Sequence, residues 1–179
     1  MAPRGNGSDK TRAAILAAAH DLVTTSPDLP AMGAVARRAG VSRLSVYHHF
    51  GSHAGLLEAL AAGSRPPTPE PAATSGGGEQ LRVRVRAVCE RWASDPALFR
   101  RLPAAAESGD PTPDHELARR LAAEDQLRPG CSLKEAEDVI ALVTSFPAFD
   151  RLHQGGRRST AAVAEILLRM AGAVLNAPA

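Results

Sequence analysis

Two short apolar-patterned segments joined by Gly40-Val41-Ser42 constrain this chain more than any other feature. Upstream, Pro30 opens a segment in which Met32, Val35, Ala36 and Ala39 share one helical face, and Gly40 suits the left-handed turn that closes a helix. Downstream, Ser42 is an N-cap for a helix through His49 that carries Val46 and Phe50 inward. Ala36 is small enough for the two helices to cross closely, which is the physical specification of a helix-turn-helix. The second helix then shows Arg43, Leu44, Ser45, Tyr47 and His48 to the outside. A short helix fits the major groove of DNA, where Arg reads guanine, hydroxyls read either base edge and apolar groups meet thymine methyls.

The rest of the chain reads as helix. Ile15, Ala19, Leu22 and Val23 form one stripe between Ser8 and Thr25, and Leu56, Leu57 and Leu60 form another between Ser52 and Ala62. Four prolines followed by three glycines make residues 64–78 a linker between a head, 1–63, and a body, 79–179. Leu81 to Val88 alternates like a half-buried strand, but Leu81, Val85, Val88, Cys89 and Trp92 also share a helical stripe. No hairpin partner follows, and an isolated strand is unstable, so the helix is preferred. Further helices fit Pro96–Glu107, Asp114–Leu127 and a segment capped by Ser132 with Glu135 that Pro147 should kink or end. The last helix, about Ser159 to Asn176, is apolar on two sides, Val163/Ile166/Met170 and Leu167/Ala171/Leu175, and so expects two neighbours. The fold expected is all-α, a three-helix helix-turn-helix head followed by a helical body.

Composition agrees. Apolar residues make up 44% of the 179 while aromatics make up 3%, so alanine and leucine, both helix formers, carry the core. Cys89 and Cys131 are too few for a disulfide framework and are expected to be reduced packing residues. No apolar run marks a signal peptide or a bilayer span, so a cytoplasmic protein without membrane contact is expected. Residues 1–65 hold seven Lys/Arg against four Asp/Glu, whereas the remainder is slightly acidic; the head is the end suited to a nucleic acid. No phosphate loop, nucleophile elbow or metal-protease helix is present, so no enzyme and no cofactor are expected.

Four runs carry a resemblance: Thr11-Arg-x-x-Ile-Leu-x-Ala-Ala, Val35-Ala-x-x-Ala-Gly-Val-Ser, Val46-Tyr-x-His-Phe-x-Ser and Leu56-Leu-x-Ala-Leu. Residues 10–61 resemble the N-terminal domain of the TetR family of transcriptional regulators, and Thr144–Leu152 resembles, more loosely, a C-terminal domain of that family. The resemblance implies a homodimer built through the last two helices and a small-molecule effector bound in the body. It also implies double-stranded operator DNA as partner, with a repressor released from an inverted repeat by that ligand. The low aromatic content and the Ala/Leu/Val-rich body suggest that the ligand is small and apolar. Family members often have Thr where Ala31 stands, Gly or Pro at Leu44, and Lys at His53. The DNA-facing surface is therefore bulkier here, and its phosphate contacts are changed.

The residues expected at DNA are Arg43, Leu44, Ser45, Tyr47, His48, His49 and His53, with Ala31, Met32 and Lys10 beside them. Tyr47 either stacks in the core or places its hydroxyl on a phosphate, and the resemblance favours the phosphate. His49 is read as partly a packing residue, and Lys10 serves either phosphate contact or solubility. Arg37 and Arg38 read as a solvated face. His48, His49 and His53 cluster, but a turn separates the last two and no Cys, Asp or Glu completes a ligand set, so no metal is expected. Trp92, Cys89, Phe99, Phe146, Phe149 and Met170 are candidates for core or for the lining of an effector pocket.

Overall fold

The computed structural model describes residues 5–26, 28–63, 76–102 and 112–175. Ten α-helices lie within those residues: α1 Gly5–Thr25, α2 Met32–Ala39, α3 Arg43–Phe50, α4 His53–Gly63, α5 Gly77–Ser94, α6 Pro96–Arg101, α7 Thr112–Ala123, α8 Leu133–Val143, α9 Phe146–His153 and α10 Thr160–Leu175. The all-α expectation is met, with no strand among the described residues. The chain divides into two compact units, one of residues 1–64 with 97–105 and one of residues 65–96 with 106–179.

The head is a small bundle in which α1 packs on α2 and α4, and α3 packs on both α2 and α4. Ile15, Ala19 and Val23 of α1 meet Val35 and Ala36 of α2, Val46 of α3 and Leu56 and Leu60 of α4 in one apolar cluster. Each large side chain so buried contributes about 1.5–3 kcal/mol. Leu98 and Leu102, one helical turn apart, complete the same cluster. Sequence order puts α6 after the body's first helix, yet its apolar stripe is matched by the head, so residues 97–105 group there.

In the body, α5 packs on α7, α9 and α10, and α10 also packs on α8 and α9. Leu81, Val85, Cys89 and Trp92 are the buried stripe of α5, so the alternating run is a helix. Most of the expected linker, 64–75, lies outside the described residues. Its last two glycines do not: Gly77 and Gly78 are buried in the first turn of α5. A Cβ on Gly77 would sit 2.9 Å from Leu121 Cδ2, so the glycine permits a close approach of α5 to α7. Ser132 caps α8 by accepting from the Glu135 amide at 3.1 Å. Pro147 does not kink that helix. It stands in the first turn of a separate one, α9, where a missing amide proton costs nothing, with Ser145 as N-cap.

Candidate nucleic-acid interface

Glycine conformation and serine capping set the turn that aims α3. Gly40 closes α2 in the left-handed region (φ 68°, ψ 29°), and Val41 N–H donates to the Ala36 carbonyl at 3.0 Å. Ser42 Oγ then accepts from the Ser45 amide at 3.0 Å and meets Ser45 Oγ at 2.9 Å. Val46 is fully buried, which fixes the rotation of α3 about its axis. At about 100° per residue the outward arc is then Arg43, Tyr47, Leu44 and His48 in angular order, and all four are exposed. Arg43 Nη2 donates to Tyr47 Oη at 3.3 Å, with the guanidinium 5.5 Å from the ring centroid. Tyr47 is thus at the surface with Arg43 over it, not in the core.

A surface concavity of about 420 Å³ runs along the start of α2 and the first turn of α3, and Ala31, Gly33, Arg37, Arg43, Tyr47 and His53 are among its walls. Ala31 has no side-chain cap to offer, and the first amides of a helix have no partner within it. The Ala34 amide is bonded to the Ala31 carbonyl at 2.9 Å, so the amides of Met32 and Gly33, with the positive end of the helix dipole, are the groups that α2 brings to the lining of this groove. That arrangement is suited to an anion such as phosphate. Met32 also borders it, but its side chain belongs to the head core at 4% exposure. His53 Nε2 donates to the Pro30 carbonyl at 3.0 Å, tying the start of α4 to the entry of α2. That nitrogen is used inside the protein.

The groove gathers Ala31, Met32, Arg43, Tyr47 and His53. Leu44 and His48 share the outward arc of α3, and Ser45 is half-buried beside its cap. His49 is half-buried, 6.2 Å from the Phe50 ring, and Lys10 is exposed on α1. Sequence reading treated Arg37 and Arg38 alike, and the structure separates them. Arg38 pairs with Asp21 of α1 at 2.6 Å, whereas Arg37 lines the groove. The signal was Gly33 one turn earlier, whose missing side chain leaves the groove side open next to Arg37 Nη1.

The six residues considered for an effector pocket do not form one set. Cys89, Trp92, Phe146 and Phe149 are buried in the body, Phe99 is buried in the unit containing the head, and Met170 is 51% exposed. Trp92 meets Phe146 edge-on at 5.5 Å and donates Nε1–H to the Thr144 carbonyl at 3.1 Å, and Phe149 stacks on His153 at 4.9 Å. Burial, helped by Glu90, pushes the Cys89 thiol up to about 12, so it stays protonated and packs as an apolar group.

Residues 15–60 match the family model described as bacterial regulatory proteins, tetR family. No curated protein matches the sequence. Among solved structures, the chain is similar to native NalD, the secondary repressor of the MexAB-OprM multidrug efflux pump in Pseudomonas aeruginosa, at 22% identity and a TM-score of 0.68, covering 91% of this chain and 96% of that one. A TetR-like transcriptional regulator from Rhodococcus sp. RHA1 aligns at 21% identity and a TM-score of 0.59 over 96% of both chains. A mutant of HlyIIR aligns at 15% identity and a TM-score of 0.57 over 98% of both. The all-α fold as a whole is the one these solved structures share. More particularly, the chain carries the tetR-family domain at 15–60, and the resemblance read from Val35-Ala-x-x-Ala-Gly-Val-Ser and Val46-Tyr-x-His-Phe holds.

Proposed function

We propose that this chain is a ligand-responsive repressor that binds an inverted-repeat operator as a homodimer in the cytoplasm and is released by a small apolar effector. The observation that carries the reading is the outward arc of α3, Arg43, Tyr47, Leu44 and His48, next to the open amides of α2. Such an edge places base readers in the major groove and phosphate donors on the adjoining backbone. Exposed Leu142 on α8 and Met170 on α10, at 57% and 51%, are large apolar side chains that a second copy would cover. Two recognition helices engage successive major grooves only when set about 34–36 Å apart, so a modest change in their separation releases both. NalD, a structure of similar fold, is a repressor, which is the direction proposed here. The Arg43 and Tyr47 residues are the ones to test. Arg43→Ala and Tyr47→Ala are each expected to abolish the salt-sensitive mobility shift on the upstream region while leaving the sedimenting species unchanged. Unchanged shifts for both would show that α3 is not the reading helix.

A further inference from the structure

Leu44 lies nearly opposite the fully buried Val46 on α3, two residues and about 200° away. At 78% exposure it is the most exposed large apolar side chain among the described residues. Its neighbours satisfy one another: Arg43 donates to Tyr47, and the Ser42 and Ser45 hydroxyls meet at 2.9 Å. Leucine at this position therefore adds nothing to the head core and supplies no hydrogen bond. What it offers is an apolar tip at the centre of the edge that enters DNA. The apolar feature that a base presents in the major groove is the C5-methyl group of thymine.

We propose that Leu44 is a specificity-determining residue that reads a thymine C5-methyl group in the operator half-site. This rests on α3 being the reading helix. The contact removes apolar area on both sides from water, and it distinguishes thymine from cytosine without a hydrogen bond. Leu44 also sits between Arg43 and Tyr47 on one side and His48 on the other, so the methyl it reads would be flanked by polar base edges within reach of Arg43 and His48.

The test uses the full chain. Specific duplexes are first selected from random DNA, and each thymine in the enriched site is then replaced by uracil, which deletes the methyl and keeps every hydrogen-bonding atom. Fluorescence anisotropy at fixed salt is expected to show about four-fold weaker binding at one thymine position of the half-site, the worth of one buried methyl group. Leu44→Ala, a substitution at an exposed helical site, is expected to bind the thymine and uracil duplexes equally. Uracil tolerance at every position, or an unchanged uracil penalty in Leu44→Ala, would overturn the proposal while leaving α3 as the reading helix. Failure of any sequence to enrich would instead overturn the reading of α3, and this proposal with it.

Discussion

The body and helix α3 of the head place their polar side chains to different ends, although elsewhere in the head Arg38 of α2 is paired with Asp21 of α1. In the body, polar side chains bridge helices: Arg84 of α5 to Asp114 of α7 at 2.5 Å, Arg86 of α5 to Glu165 of α10 at 2.9 Å, and His115 of α7 to Glu137 of α8 at 2.5 Å. Glu124 at the end of α7 accepts from the Gly77 amide at 2.7 Å and so caps the first turn of α5. In the head, the outward residues of α3 pair within their own helix, Arg43 with Tyr47 and Ser42 with Ser45. Polar groups hold the body's helices to one another, whereas those on α3 are left facing outward. The lesson is that the outward side of a functional helix is recognised by what it does not tie down.

The comparison can be broken most forcefully from the apolar side. Phe149→Ala empties a fully buried position under the His153 ring and should cost the body about 3–5 kcal/mol, read as a lower urea midpoint by circular dichroism. An unchanged midpoint would mean that the ion pairs, not the core, hold the body. Gly55→Ala tests the head at a backbone contact, since the new Cβ would lie 2.3 Å from the Phe50 carbonyl oxygen. The α3–α4 turn must move, at about 1–3 kcal/mol, and DNA affinity should fall with stability. Gly77→Ala meets chiefly the end of the Leu121 side chain and is expected to cost the body less. Ser42→Ala removes a cap and the partner of the Ser45 hydroxyl, so a loss of about 1 kcal/mol is expected in thermal unfolding.

The smallest effect is one of pH. The Gly77 amide, with help from Arg120, holds the Glu124 carboxyl below the ordinary 4.5. Its folded form therefore favours the charge, and that stability is full above 4.5 and lost as the pH falls through the lowered value. Asp114 works in the opposite sense. Burial raises its pKa against the pull of Arg84, with Glu137 adding to the rise, so acid relieves it. Glu124→Gln should flatten the acid side of the urea-midpoint profile, and an unaltered slope there would show that the cap contributes nothing.

Much of this was legible in the sequence because the head's signals are local. Gly40 and Ser42 declare their backbone roles by residue type, and the spacing of Val46 and Phe50 fixes which side of α3 faces out. The buried stripe Leu81, Val85, Cys89 and Trp92 likewise outweighed the alternating decoy. What escaped was set by distant partners. Gly77 reads as a flexible linker residue until Leu121 is placed against it, and His53 reads as a phosphate ligand until the Pro30 carbonyl accepts its proton. Phe99 shares an apolar stripe with Leu98 and Leu102, and nothing local shows that this stripe groups with the head. Arg37 and Arg38 look equivalent as letters, and only Asp21 on another helix tells them apart.

The chain contains one tryptophan and one tyrosine, and folding sends them to different units. Trp92 is held by the Thr144 carbonyl against Phe146, and Tyr47 lies at the edge of α3 under Arg43. Each unit therefore carries its own optical reporter without any label. A molecule entering the body should alter tryptophan emission first, and a duplex docking on the head should alter tyrosine emission first. Recording both from one unmodified sample would time the two events against each other.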